Sequence, residues 1–165
     1  MNANQEQLYK HVEFLTSIRP FRNYKNLESL EAVCSYLKEQ FKTYGLESEE
    51  QIFNVGGSDF KNIIATFNED KKRRLIVSAH YDVCGDQPGA DDNASAVSGL
   101  LESARMVSEA NPELDYRIDF VAFCLEEPPF FGSQQMGSYV HAKSLSGIKK
   151  DLIGVINLEM IGFFN

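Results

Sequence analysis

The chain is predicted to fold as an α/β three-layer sandwich: a central mixed, mostly parallel sheet with helices on both faces. Three observations lead there. Two amphipathic helical stretches come first, two strand-like stretches then flank Gly56-Gly57, and from residue 74 onward apolar runs alternate with helical periodicity. Stretches joined by a two-glycine turn pair antiparallel, whereas strands separated by helices run parallel through crossovers, so one sheet must hold both kinds of pairing. The 165 residues suit a single domain with a core of its own. No repeat, low-complexity tract or linker divides them.

Leu8, Val12 and Leu15 recur at helical spacing and predict a short helix ending near Arg19-Pro20, with His11 off the apolar stripe and exposed to solvent. A second helix starts at Asn26, a capping residue type, buries Leu30, Val33, Leu37, Phe41 and Tyr44, and stops at Gly45. Residues 48–55 and 59–67 read as an antiparallel strand pair, because Ile63, Ala65 and Phe67 alternate with other neighbours. Residues 74–79 carry Leu75, Ile76, Val77 and Ala79, the continuous apolar run of a strand covered on both faces. A helix over 94–109 turns Val97, Leu101, Ala104 and Val107 inward and ends at Asn111-Pro112. Ile118 and Phe120-Val121-Ala122-Phe123 make the next strand. Gly132-Ser133 then opens a helix carrying Met136, Tyr139 and Val140, on which His141 is expected to face solvent, and residues 152–158 form the last strand.

A net charge of −8 disfavours nucleic acid and anionic membrane as partners, since phosphate contacts need clustered Lys and Arg. The one basic run, residues 71–74, follows Asn68-Glu69-Asp70 and reads as a solvated turn. No early apolar stretch resembles a signal peptide and no segment is long enough to span a bilayer. Cys34, Cys84 and Cys124 lack framework spacing and read as free thiols, so the expected location of the sequence as it stands is the cytoplasm.

The chemistry gathers at strand ends. The first apolar run gives way to His80 and Asp82, the next runs into Glu126-Glu127, and the last into Glu159. Asp91-Asp92-Asn93 stands at the start of a helix. Taken singly, Asp-Asp-Asn reads as helix capping and Glu126-Glu127 as a solvated charge pair. Together they differ, because parallel strands deliver their carboxyl ends to one rim of a sheet. Carboxylates crowded there repel unless a divalent cation joins them, and a histidine-plus-carboxylate set suits zinc, with manganese or cobalt as alternatives. Asp82 could accept a hydrogen bond from the second ring nitrogen of His80 and so orient it.

His80-Tyr81-Asp82, the run 88–95 (Pro-Gly-Ala-Asp-Asp-Asn-Ala-Ser), Glu126-Glu127 with Gly132-Ser133, and Asn157-Leu158-Glu159-Met160-Ile161-Gly162 resemble the motifs of the co-catalytic dizinc aminopeptidases, the aminopeptidase Y and bacterial leucyl aminopeptidase family. The resemblance covers nearly the whole chain. It implies a zinc-peptidase-like fold in which His80, Asp92, Glu127 and Glu159 are metal ligands, with Asp92 bridging two zincs, His80 and Glu159 on the first and Glu127 on the second. It further implies Glu126 as general base, Asp82 as the residue orienting His80, and a cis peptide at Asp92-Asn93. The implied reaction is removal of amino-terminal residues from peptides with a free amino terminus, through a metal-activated water.

Three departures accompany the likeness. Glu159 stands where many members have aspartate, and Pro128-Pro129-Phe130-Phe131 replaces a glycine-containing link. The family's second zinc also takes a histidine from a later loop, and this chain ends at Asn165 before that region. Residues 1–165 are therefore expected to be an incomplete catalytic domain, truncated at the carboxyl end. At most one tight zinc site, weak or absent hydrolysis and self-association through an open sheet edge are expected of it. Two other readings stand beside this one: a glutaminyl-cyclase-like zinc transferase on the same scaffold, and a non-catalytic remnant acting as a binding module.

Overall fold

The computed structural model describes residues 2–163. Its sheet is built from β1 (Ser48–Val55), β2 (Ser58–Phe67), β3 (Arg74–His80), β4 (Arg117–Phe123) and β5 (Leu152–Asn157), in the order β1-β2-β4-β3-β5. β2 pairs antiparallel with both β1 and β4, while β3 lies parallel between β4 and β5. β2 alone thus opposes the other four strands, and the sheet is mixed and mostly parallel in direction. Placing β4 between β2 and β3 buries it on both sides, which its unbroken apolar run Phe120-Val121-Ala122 requires.

Three helices, α1 (Gln5–Ser17), α2 (Leu27–Thr43) and α3 (Ala96–Ala110), cover one face of the sheet. Leu15, Val33, Leu37, Phe41, Val97, Leu100 and Leu101 meet Ile63, Phe120 and Ala122 there in one continuous core. Leu100 and Leu101 are fully buried, and each such leucine contributes about 1.5–3 kcal/mol relative to exposure. The opposite face holds a smaller core of Ile64, Ile76, Val121 and Phe123. α4 (Gly137–Ser144) lies on that side, its His141 ring 5.7 Å from the Phe123 ring. A short 3-10 segment, Ser146–Asp151, links α4 to β5, which is an edge strand with Ile153, Val155 and Ile156 exposed.

Several expectations are corrected. His11 is buried, not exposed: α1 turns it inward with Leu15, and the Tyr36 and Tyr44 hydroxyls lie 2.7 and 3.3 Å from its two ring nitrogens. His141 is likewise buried, with Nδ1 3.2 Å from Gln51 Oε1. Asn26 does not cap α2 with its side chain, which donates instead to the Phe21 carbonyl; Asn4 caps α1 by accepting from Gln7. The helix expected after Gly132 begins only at Gly137. Residues 127–136 are held in turns by Phe130 N–H to the Glu127 carbonyl and Ser133 N–H to the Phe130 carbonyl, and Pro128 and Pro129 have no N–H to continue a ladder. Gly137 is required by close approach, since a Cβ there would lie 2.2 Å from Asn62 Oδ1 and 2.5 Å from the Cys124 carbonyl oxygen.

Candidate metal centre

β3, β4 and β5 run in one direction and end at one rim of the sheet. His80 is the last residue of β3, Glu126-Glu127 follow shortly after β4, and Glu159 follows β5. An irregular turn, Ala90–Ser95, leads into α3 and brings Asp91, Asp92 and Asn93 to the same rim. Non-helical φ/ψ at Asp92 and Asn93, with a cis peptide between them, interrupts the winding just where the side chains must turn toward the strands.

His80 Nε2 lies 3.2 Å from Asp92 Oδ1 and 3.3 Å from Glu159 Oε1. One ligand atom from each of His80, Asp92 and Glu159 falls within 4.8 Å of the others. The other nitrogen, Nδ1, is 3.2 Å from the Asp82 main-chain carbonyl and 3.5 Å from its carboxylate. A carbonyl can only accept, so Nδ1 carries a proton whatever the charge of the ring, and Nε2 is the nitrogen turned toward Asp92 and Glu159. Burial works against a charged imidazolium here, but the Asp82 and Glu159 carboxylates outweigh it and hold the metal-free His80 pKa up at about 10.

Asp82 reaches further than its neighbour. β3 ends at His80, and Tyr81 extends the ladder only by donating to the Phe123 carbonyl. The Asp82 carboxylate then turns beneath the β4 exit and accepts from the main-chain N–H groups of Glu126 and Glu127, at 3.2 Å each. One buried carboxylate therefore ties the β3 terminus to the glutamate pair.

The two glutamates part company. Glu126 accepts from the Ser138 N–H through Oε1 and from the Ser138 hydroxyl through Oε2, both at 2.7 Å, at the first turn of α4. Burial raises its pKa and the Ser138 hydrogen bonds oppose the rise. Glu127 is pushed up to about 7, first by burial and next by the adjacent Asp92 carboxylate. It lies beside Asp92 but outside the group formed by His80, Asp92 and Glu159. Asp92 thus has Glu159 as one carboxylate neighbour and Glu127 as another.

Three contributors had no clear mark in the sequence. Ser138 grips Glu126, yet Gly-Ser occurs at both 132–133 and 137–138, and spacing does not say which pair does so. Asn93 donates through Nδ2 to Glu159 Oε2 at 3.2 Å. Arg22, 1% exposed, gives its guanidinium wholly to main-chain carbonyls, those of Leu15, Tyr81, Pro88 and Gly89, and so laces together the loop between His80 and Asp92. Burial lowers its pKa to about 10, while Asp82 and Asp92 pull the other way.

The donor set fits a divalent cation. Asp92 Oδ1 is buried with no hydrogen-bond donor directed at it, although the His80 ring is close. Among the described residues no lysine or arginine pairs with Asp92, Glu127 or Glu159. An imidazole lone pair and carboxylate oxygens without sulfur suit zinc. These residues open onto a cavity of about 1060 Å³, whose further wall is apolar and includes Phe123, Met136, Tyr139, Leu145, Leu152 and Val155.

Residues 62–165 match Peptidase family M28. The chain is similar to the uncharacterized protein YfbL of Escherichia coli, with 40% identity over 99% of this chain and 52% of that protein. It is also similar to a Zn-dependent exopeptidase from Parabacteroides distasonis, with 25% identity, a TM-score of 0.81 and coverage of 100% of this chain and 64% of that one. The glutaminyl cyclase of Porphyromonas gingivalis gives 25% identity, a TM-score of 0.82 and coverage of 97% and 60%. The chain therefore spans about half the length of YfbL and under two thirds of either solved structure. No described helix is long and apolar enough to cross a membrane.

Proposed function

The chain belongs to peptidase family M28, and from that premise we propose that it carries the metal centre of a zinc-dependent aminopeptidase acting on peptides with a free amino terminus. The observation that carries the reading is the convergence of His80, Asp92 and Glu159 within 4.8 Å, on a cavity that Glu126 and Glu127 also line. His80, Asp92 and Glu159 would hold one zinc, and Asp92 with Glu127 would offer oxygens to a second. Bound zinc would supply a polarised carbonyl and a water acidic enough to attack near neutral pH. Asp82 keeps the His80 lone pair turned outward and fixes the main chain of both glutamates. Glu126 is the general base: each of its oxygens keeps a second lone pair beyond the Ser138 bonds, and its raised pKa suits taking a proton and returning it to the leaving amine. The carboxylates beside the site favour the positive charge of a free amino terminus, and the apolar wall faces the residue to be removed.

The test is hydrolysis of aminoacyl amides by the zinc-loaded full-length protein, set against the same substrates acetylated at the amine. Turnover of the free amines alone is expected; equal turnover of both, or none of either with zinc bound, overturns the reading. The likeness to a glutaminyl cyclase favours one second reading, cyclisation of an amino-terminal glutamine on the same scaffold. Ammonia release from a glutamine-led peptide without peptide-bond cleavage would select it.

A further inference from the structure

We propose that Asn93 is a positioning residue that assigns the two oxygens of Glu159 to different tasks, Oε1 to the metal and Oε2 to itself. The proposal rests on the reading of His80, Asp92 and Glu159 as zinc ligands. Asn93 is fully buried, whereas the Glu159 side chain is 46% exposed and belongs to no strand or helix. The last ladder bond before it is Leu158 N–H to the Ser78 carbonyl. A glutamate there has three side-chain torsions to fix and little around it to fix them, so its place must be set from the rigid side of the site.

The Asn93 carboxamide brackets Glu159 on both sides. Its Nδ2 donates to the Leu158 carbonyl at 3.4 Å and to Glu159 Oε2 at 3.2 Å, and its Oδ1 accepts from Met160 N–H at 3.0 Å. The two main-chain partners determine which way the amide faces, because a carbonyl needs the NH2 and an N–H needs the oxygen. Glu159 Oε2 is then held by a donor, and Oε1 is left 3.3 Å from His80 Nε2. Asp91 supports the same segment by accepting from Gly162 N–H at 3.0 Å. The obvious alternative task for an asparagine just before a helix is capping, but no side chain caps α3. The Asn93 amide is committed to residues 158–160.

Asn93→Asp keeps the acceptor for Met160 and replaces the donor facing Glu159 by a second carboxylate oxygen. Asn93→Ser withdraws the donor by shortening the side chain and adds no charge. Zinc affinity, read by competition with a chromogenic chelator, is measured for wild type, both variants, Glu159→Gln and the double variant Asn93→Ser with Glu159→Gln; urea unfolding confirms that each is folded. Each Asn93 variant is expected to bind zinc 10- to 100-fold more weakly, the range found when partners that orient metal ligands are removed. If Asn93 acts through Glu159, the double variant binds no more weakly than Glu159→Gln alone, whereas a merely structural role makes the losses multiply. Wild-type affinity in a folded Asn93→Ser protein, or multiplying losses, overturns the proposal. Zinc affinity unchanged by Glu159→Gln, or absent from wild type, instead removes the ligand reading beneath it and the proposal with it.

Discussion

Asp82→Asn should separate the folding role of one buried carboxylate from the role proposed for it in orienting His80. In the native chain that group is 1% exposed and receives two main-chain N–H bonds of 3.2 Å, from Glu126 and Glu127. Asparagine has the same shape but offers one carbonyl oxygen, so one of the two N–H groups must face an NH2. A lost charge-assisted bond costs about 1.5–3 kcal/mol and a stranded buried donor about 1–3 more. Burying an amide is cheaper than burying a carboxylate and offsets part of this, leaving a net loss of about 2–4 kcal/mol by the same ranges. At about 2–4 °C per kcal/mol for a domain of this size, the melting temperature of the metal-free protein should fall by about 4–16 °C. Zinc affinity should fall separately, by about 10- to 100-fold, because the carboxylate beside His80 Nδ1 no longer favours the proton on that nitrogen, which leaves Nε2 for the metal, and no longer fixes the glutamate main chain. Urea and thermal unfolding without metal, followed by a chelator-competition titration, measure the two effects. Asp70→Asn is the control: Asp70 is exposed, its ion pair is with Lys71, and its loss should leave the unfolding curve essentially unchanged. An Asp82→Asn protein that unfolds and binds zinc like wild type would refute the argument that this carboxylate joins the two strand ends.

Gly137→Ala should cost about 3 kcal/mol or more, or prevent folding, because its Cβ would meet Asn62 Oδ1 at 2.2 Å and the Cys124 carbonyl at 2.5 Å; Gly147→Ala, with nothing within 4 Å, should be nearly neutral by urea unfolding. His11 has its pKa lowered by burial, with Glu102 opposing, so the unfolded chain binds a proton that the folded chain refuses. Stability should therefore decline as pH falls through about 6.5 toward the lowered folded value, by up to about 1.4 kcal/mol per pH unit, and the metal-free His11→Asn variant should show a shallower decline between about pH 7.5 and 5.5. Glu126→Gln should reduce hydrolysis by the full-length protein about 10²- to 10⁴-fold at unchanged zinc content. Glu127→Gln should lower zinc content as well, as metal analysis would show. Calorimetric titration of residues 1–165 should find at most one tight zinc site, and two equal ones would mean that a ligand beyond Asp92 and Glu127 completes the second.

Local patterning reveals most of the elements and their order. Apolar runs such as Leu75-Ile76-Val77 and Phe120-Val121-Ala122-Phe123 are short and rich in strand-forming residues, the 3.6-residue stripes of α2 and α3 suit helices, and Gly56-Gly57 suits a tight turn. That His80, Glu126-Glu127 and Glu159 lie at strand ends was legible too, since a break from apolar to acidic is a local feature. What each polar side chain meets depends on packing between distant segments. His11 looked solvent-facing because its helix period is ambiguous over thirteen residues, and its burial depends on hydroxyls 25 and 33 residues away. The start of α4 depends on Asn62 and Cys124 closing on Gly137, and not on the earlier Gly132-Ser133. Asp82 sits two residues from His80, but its carboxylate is spent on main-chain groups 44 and 45 residues onward. Apolar periodicity records which side of an element faces the core, because burial area adds over many residues. A hydrogen bond joins one particular pair, and which pair it is depends on the three-dimensional packing that brings strands β3, β4 and β5 side by side.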